Sequence, residues 1–431
     1  MADVTPETVD LSRFNPFDPV VQQCPHLYYR KMQETTPVHH VLGTDFYLVT
    51  RHELITPILR DTRTFSNNFG SAGEPPKGDV VERIKAILAN GWPQLPTMLT
   101  IDPPYHTRFR GTVATYFTPR RMAELRAPLE AIVNRLIDGF PASGTIDFVT
   151  AFGIPVPIEA IARVLNVPND RMADFKRWSD DSIANIGTAI TDDQRVGAYH
   201  GILEFQQYFA AQMDKRRAVP TGDLISDLVQ ARIDADETDP GRGDDGKRPL
   251  AMAEALSILQ QLLVAGNETT TKALTEGMML LARHPEQWER LRSDPAGRAA
   301  AVTEEVLRLS TPTQGMFRKV TRDTEIEGCP VPAGARLILM YAAANRDPAV
   351  WGDDPDGFDP DRSNHKEHVA FGKGIHFCLG APLSRIEMQV AFELLARRVT
   401  TVELADTNDF AYHPSFMLRG LKRLDLHVEL A

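Results

Sequence analysis

The sequence predicts a mainly α protein with small β-sheets, an α+β fold in one domain spanning 1–431. Three observations carry this. Apolar residues recur at three- and four-residue spacing through most of 104–310 and again over 379–399. Short apolar and β-branched runs, punctuated by Gly and Pro, occur near 37–50 and 316–341. No internal repeat, low-complexity tract or linker divides the chain, so the length-based expectation of about three domains gives way to a single one.

In order along the chain, 38–41 and Phe46-Tyr47-Leu48-Val49-Thr50 flank a Gly43-Thr44-Asp45 turn, which predicts a hairpin. A short helix is expected over 54–61. The segment 67–96 is rich in Gly, Pro and charge, with one helical patch at 80–88, and reads as a lid, a binding loop or disorder. Helical spacing follows at 122–140, 158–165, 205–213 and 224–233, then a polar loop over 234–248. Pro249 is expected to open a long helix to Arg283, buried in its middle because 258–264 is apolar nearly all round. A helix over 298–309, strands over 318–320 and 336–340, a loop-rich stretch over 344–374 and a last helix over 379–399 complete the reading.

Hydrophobic residues make up 42% and charged residues 24%, which excludes a disordered chain, a fibre and a disulfide-stapled miniprotein. The net charge of −11 gives no overall electrostatic reason to bind nucleic acid or an anionic membrane. Cys24, Cys329 and Cys378 lie far apart, with no CxxC pair. The start, Met-Ala-Asp-Val-Thr-Pro-Glu, lacks a cationic stretch followed by an apolar core. No uninterrupted apolar run reaches about 18 residues. The expectation is a cytoplasmic protein without a membrane anchor.

The sharpest local feature is Phe371-Gly372-Lys373-Gly374-Ile375-His376-Phe377-Cys378-Leu379-Gly380. A cysteine just before a helix is favoured as a thiolate by the N–H groups of the helix start. The glycines allow a tight turn against a flat partner. A thiolate can ligate haem iron and favour O–O cleavage. The residues alone also leave open a buried structural cysteine, a nucleophile in a non-haem enzyme, or a zinc ligand, for which only His376 is close.

This stretch resembles the haem-binding signature of the cytochrome P-450 family, F-x-x-G-x-H-x-C-x-G, at Phe371, Gly374, His376, Cys378 and Gly380. At about one in twenty per fixed position, a chance match in this chain is on the order of one in ten thousand. Glu305-Val306-Leu307-Arg308 is similar to the family's E-x-x-R element, three residues apart on one helix face. Phe358-Asp359-Pro360-Asp361-Arg362 resembles the next signpost, and Arg362 is implied to join Glu305 and Arg308 in a buried structural network. Asp102-Pro103-Pro104-Tyr105-His106-Thr107-Arg108-Phe109-Arg110 resembles the start of the bacterial C helix. By resemblance, His106, Arg110, Arg318 and His376 contact haem propionates. Phe371, Gly372, Gly374, Gly380 and Ala265 line the cofactor, and Cys378 is the iron ligand.

Within the long helix, Leu262-Leu263-Val264-Ala265-Gly266-Asn267-Glu268-Thr269-Thr270-Thr271 places a carboxylate and a hydroxyl in an apolar stretch, costly unless paired or functional. A kink with satisfied polar groups is the plain alternative. The segment is similar to the family's A-G-x-D/E-T element, which implies that Thr269 stabilises bound O2 and Glu268 relays protons. The resemblance runs from about Thr50 to Gly420. It implies the family's triangular prism of helices, haem b, O2 as co-substrate, and a monooxygenase acting on a small hydrophobic substrate. Electrons are expected from a ferredoxin or flavodoxin served by a separate reductase, and the state is expected to be a monomer. A peroxide-driven haem enzyme and a catalytically silent haem ligand-binding protein are the alternatives.

Substrate-lining candidates are the 67–98 loop, the 172–199 stretch, Gln261, Val264, Ala265, Thr313, Gln314 and Met417. Lys77, Arg83 and Lys85 are candidate carboxylate anchors, with solvation the simpler role. Arg108, Arg120, Arg121 and Lys373 are expected to form a basic patch for an acidic electron donor.

Overall fold

The hairpin predicted near residue 40 forms as Val38–His40 antiparallel to Phe46–Val49, with Leu48 and Val49 fully buried. In the computed structural model, which describes residues 9–70, 78–184 and 190–431, this hairpin is the edge of a five-stranded sheet. Arg336–Leu339 pairs parallel to Phe46–Val49 and antiparallel to Met316–Val320, and Phe65–Ser66 closes the far side. The helix His52–Arg60 packs Ile55, Ile58 and Leu59 into the same apolar cluster as Leu337, Leu339 and Val369. That cluster therefore reaches the chain just before the cysteine loop.

The chain gathers into two compact units. One holds Ala123–Pro157, Glu268–Ala431 and the chain up to Phe69; the other holds Gly70–Met122 and Ile158–Asn267. In the first, the helices Pro295–Ser310 and Ala381–Arg398 pack together. A side chain at Gly277, on the helix Met252–Arg283, would lie 2.6 Å from Phe392 and 3.0 Å from Val306, so the missing Cβ lets that third helix approach the pair. Burying a side chain like Phe392, fully inaccessible here, contributes roughly 2–3 kcal/mol. A second sheet of Ser143–Asp147, Val399–Leu404 and Asp425–Leu430 joins segments nearly 300 residues apart and was not foreseen.

The second unit is helical. Asp192–Ala218 is a 27-residue helix, far longer than the 205–213 core of the prediction. It starts at a capping box: Gln194 N–H donates to Thr191 Oγ1 at 3.2 Å, and Thr191 N–H to Gln194 Oε1 at 2.9 Å. The Phe205 and Phe209 rings lie 4.7 Å apart, tilted by 46°, and Trp178 meets Phe205 edge-on. The helix at Leu224 ends at Gln230, not 233, because Ile233 is needed in a strand, Arg232–Asp234, paired with Lys247–Pro249. Pro249 accordingly ends a strand instead of opening the long helix, which is Met252–Arg283. Glu254 fixes that start, accepting from Ala251 N–H at 2.8 Å and binding Arg248 at 2.6 and 2.7 Å.

The long helix divides between the units at Asn267 and Glu268. Ile258, Leu259 and Leu263 are fully buried and Val264 half-buried. Gly266 lies against Ile161, where a Cβ would meet Cγ1 at 3.1 Å. Among the described residues no helix is long and apolar enough to cross a membrane.

Candidate active site

Glu305 and Arg308 sit one turn apart on Pro295–Ser310, and both side chains are fully buried. Their contact is bidentate, Nη2 to Oε1 at 2.6 Å and Nε to Oε2 at 2.7 Å. The other N–H groups of Arg308 donate to the carbonyls of Asn345, Pro355 and Gly357 at 2.7–2.9 Å, so all five donors are used. Glu305 Oε1 also accepts from Arg362 Nε at 3.2 Å and Asp359 N–H at 3.0 Å. Arg362 Nη1 donates to the Trp351 carbonyl at 3.1 Å. The structure thus brings Glu305, Arg308 and Arg362 together, with the 345–362 loop as the thing they hold.

Asn345 carries that order onward. Its Nδ2 donates to Thr311 Oγ1 at 2.8 Å, and its Oδ1 accepts Val369 N–H at 2.7 Å. Beyond Val369 the chain turns at Gly372 and Gly374, with φ of 64° and 74°. A Cβ at Gly374 would lie 2.5 Å from the Leu59 carbonyl, so the second turn admits only glycine. Gly374–His376 is a single helical turn, closed by Phe377 N–H on the Gly374 carbonyl at 3.1 Å. Cys378 N–H donates to the Phe371 carbonyl at 2.9 Å, folding the loop back on itself. Cys378 is half-buried and in no disulfide. The helix begins at Ala381, two residues later than predicted, with Gly380 as its cap.

Arg318, on Met316–Val320, is buried; its Nη1 donates to the Phe317 carbonyl at 2.7 Å. It stands beside Tyr341, whose hydroxyl is pushed up by burial while the Arg318 charge opposes the shift. Glu268 is not isolated: it forms an ion pair with Lys272, one turn along. The Lys272 stem packs on Gly420, where a Cβ would meet Cγ at 2.3 Å. His413 completes this polar group; burial and then Lys272 lower its pKa, and Glu268 opposes them. Thr269 is half-buried, while its neighbour Thr270 donates to Ser384 Oγ at 3.2 Å. Lys272 and His413 were missed by the sequence reading, although a lysine four residues after a helical glutamate is a legible signal.

Thr313 bridges to Leu418, and Gln314 N–H donates to the Met417 carbonyl at 2.8 Å, which brings these three candidates to one place. The Gln314 amide is engaged with the Thr311 carbonyl at 2.7 Å and borders a cavity of about 10 Å³ shared with Tyr29 and Arg419, room for one water.

In the second unit, His106 and Arg110 share a face of Tyr105–Val113. Burial, then the Arg110 charge, hold the His106 imidazole below its ordinary value, with Asp102 opposing. Arg108 turns instead to Asp236 at 2.7 Å, so it is a compensated charge and not an open one. Gln261 Oε1 accepts from Thr97, and its neighbour Gln260 bonds Gln94 at 2.9 Å and Ser182 at 3.1 Å. Leu95 N–H donates to Ser257 Oγ at 3.0 Å, so the end of the predicted lid is pinned to the long helix. Arg83 pairs with Asp193 at 3.0 Å and Lys85 with Glu82 at 2.9 Å; Lys77 and the 71–77 part of the loop lie outside the described residues, as does 185–189 of the 172–199 stretch.

A cysteine on a glycine-turned loop, preceded by a 345–362 segment that a buried Glu–Arg–Arg network holds, is the arrangement of a haem-thiolate class of protein, and comparison with known proteins agrees. Residues 299–419 match the family model described as Cytochrome P450. The chain is 33% identical over 401 residues to cytochrome P450 130 of Mycobacterium tuberculosis, covering 91% of this chain and 92% of that one. It is 33% identical over 410 residues to 6-deoxyerythronolide B hydroxylase of Saccharopolyspora erythraea, covering 93% and 95%. The structure of cytochrome P450 CYP109Q5 from Chondromyces apiculatus superposes with a TM-score of 0.82 at 33% identity, over 97% of this chain and 98% of that one. The protein belongs to the cytochrome P450 family and has its fold: it is an oxidoreductase, a haem b monooxygenase with a cysteine thiolate ligand and O2 as co-substrate.

The residues present fit that cofactor. Haem brings its own nitrogen ligands, so the protein need supply one sulfur. Among the described residues no group of three or more His, Cys, Asp or Glu converges as a bare-metal site. Gly372 and Gly374 keep the loop free of side-chain bulk, and a Cβ at Gly380 would lie 3.9 Å from Cys378 Sγ, which leaves that sulfur uncrowded.

Proposed function

We propose that this monooxygenase hydroxylates, or carries out a related oxidation on, a hydrophobic small organic molecule, with Cys378 as the residue that would supply the thiolate to the haem iron. The single observation that carries the assignment of Cys378 is its loop: a half-buried thiol on a turn held by Gly374 against Leu59 and by Cys378 N–H on Phe371. When bound, the haem supplies activation of O2 and transfer of one oxygen atom to the substrate. With the haem in place, the Thr269 hydroxyl would serve as the hydrogen-bond donor on the distal side and the Glu268 carboxylate as the group that moves protons there. Lys272 restrains Glu268, so proton delivery requires that carboxylate to turn away from its ion pair. Arg318 and His376 would offer N–H donors to the haem propionates, and the resemblance assigns the same role to His106 and Arg110. Phe371, Gly372, Gly374, Gly380 and Ala265 border the ring.

The likeness to a protein named 6-deoxyerythronolide B hydroxylase supports hydroxylation of an organic molecule as the reaction. Val264, Thr313 and Met417 are the apolar or weakly polar candidates for the substrate pocket; Gln261 and Gln314 act mainly by holding Thr97 and Thr311. Electrons come from an acidic ferredoxin or flavodoxin, served by a separate reductase, to a cytoplasmic monomer. A groove of about 400 Å³ lined by Lys366 and Lys373, with Phe371 and Phe377, supports such docking; Arg385 also borders it, but its charge is matched by Glu304.

The deciding experiment is the absorbance spectrum of dithionite-reduced protein with and without carbon monoxide. A strongly red-shifted Soret band that is lost in Cys378→Ser is expected; a wild-type haem protein without that band would overturn the assignment of Cys378. NADH consumption with substrate and generic redox partners, set beside turnover with peroxide, separates the monooxygenase from the peroxide-driven and silent alternatives. Charge reversal at Arg121 and Lys373 should reduce ferredoxin-driven turnover and its salt dependence. Lys272→Met should weaken the restraint on Glu268 and change the solvent isotope effect on turnover, while Glu268→Gln should slow turnover about 10²-fold or more.

A further inference from the structure

His368 lies ten residues before Cys378 and is buried. Its Nδ1 accepts the backbone N–H of Ala370 at 3.2 Å. Its Nε2 lies 3.1 Å from Glu304 Oε2. A donor on one side and a carboxylate on the other admit one arrangement: a neutral ring with its proton on Nε2, donated to Glu304. A second proton on Nδ1 would face the Ala370 N–H and break that bond.

Glu304 is the neighbour of Glu305 on Pro295–Ser310 but takes different partners, His368 and Arg385. Arg385, on the helix after the cysteine, binds it with a fork, Nε to Oε1 at 2.6 Å and Nη2 to Oε2 at 2.8 Å. Burial would raise the Glu304 pKa, but Arg385 and His368 outweigh it and hold the carboxyl at about 2. The same guanidinium lies 4.7 Å over the Phe371 ring. Phe371 in turn offers the carbonyl that receives Cys378 N–H. The chain from 368 to 371 is thus gripped at Ala370 N–H, at the Phe371 ring and, through Asn345, at Val369 N–H.

We propose that His368 is a positioning residue for the thiolate: as a neutral link between Glu304 and Ala370 it fixes the loop whose Phe371 carbonyl orients Cys378. The proposal rests on Cys378 being the haem ligand. It goes beyond the Glu305–Arg308–Arg362 network, which holds the preceding 345–362 loop.

The test is the reduced, carbon-monoxide-bound spectrum of the haem-loaded protein. It reads the ratio of the red-shifted thiolate band to the unshifted band of a protonated or displaced sulfur. His368→Phe removes both bonds at similar size and is expected to lower that ratio about fivefold, the effect of losing one net hydrogen bond. His368→Asn restores an acceptor near Nδ1 without reaching Glu304 and is expected to recover part of the loss. Glu304→Gln, at unchanged size, should shift the ratio in the same direction by less. Should His368→Phe fail to fold, the other two variants decide. Wild-type ratios at equal haem content in the variants that fold overturn the proposal. A wild-type protein with no red-shifted band refutes the assignment of Cys378 itself, and with it the premise of the link.

Discussion

Glu305 and Glu387 are both carboxyls at 0% exposure, on the two helices Pro295–Ser310 and Ala381–Arg398 that pack on each other, yet they are opposite kinds of residue. Glu305 is surrounded by donors: a forked Arg308, Arg362 and the Asp359 N–H. Glu387 has Thr270 beside it, but that hydroxyl donates to Ser384, and among the described residues neither Glu387 oxygen takes a hydrogen bond of good geometry. Burial pushes the Glu387 pKa well above its ordinary value, with Thr270 opposing only weakly. Depth alone therefore does not decide whether a buried acid is charged. Partners do, and a charged acid is a clamp where a neutral one is only a polar filler. Glu304 belongs with Glu305, since Arg385 and His368 keep it ionised against the same burial.

The comparison breaks most sharply at Arg308. Arg308→Ala removes the main partner of Glu305 and uncaps three carbonyls, and should destabilise the protein by about 3–5 kcal/mol. Urea unfolding and the yield of haem-loaded protein report it; a loss below about 1 kcal/mol would mean Arg362 alone can hold the carboxylate. The next effect is in acid. The Glu304 pKa is depressed in the fold, so its contribution is present above the unfolded carboxyl value and lost as pH falls towards about 2. Glu304→Gln should lower stability by on the order of 2 kcal/mol at pH 7 and flatten the loss below pH of about 4. Melting temperatures across that range check both parts.

Glu387 gives the opposite slope. Its folded pKa is raised, so stability is full below the unfolded carboxyl value, about 4.3, and falls as pH rises from there towards the raised folded value. Glu387→Gln should change stability by less than about 1 kcal/mol near pH 5 and should make the protein more stable than wild type near pH 8. A variant less stable at both pH values would show that the Glu387 carboxylate has a partner. The smallest effect lies at the surface of the second unit. Thr191→Ala removes half of the capping box and should cost about 1 kcal/mol, read by urea unfolding.

The helices near the site were legible because apolar residues recur along them at three- and four-residue spacing. The spacing that marks 298–309 also puts Glu305 and Arg308 on one face, and the glycines flanking Cys378 announce a turn. The strands were legible where their partners are close in sequence, as in the 38–50 hairpin. They were not where pairing is remote: Asp425–Leu430 lies between Val399–Leu404 and Ser143–Asp147, and no local pattern names a partner so distant. Ile233 was misread because one apolar residue after a helical run fits either period, and its pairing with Arg248 decides for the strand. The length of Asp192–Ala218 was missed because much of it is polar. The signal that could have found its start was the Thr191-x-x-Gln194 box.

By itself the sequence determined the fold class, the family resemblance, the thiolate candidate and the residue types of its clamp, because each is carried by spacing within about ten residues. The tertiary structure decided which charges are compensated. Arg108 is matched by Asp236, Glu268 by Lys272 and Glu304 by Arg385, with His368 as a neutral donor beside it, whereas among the described residues the Glu387 oxygens take no hydrogen bond of good geometry. Except for Glu268 and Lys272, one helical turn apart, these relations join segments far apart in the chain. The energy of a charge depends on the atoms within a few ångströms of it, and only the folded chain chooses those atoms.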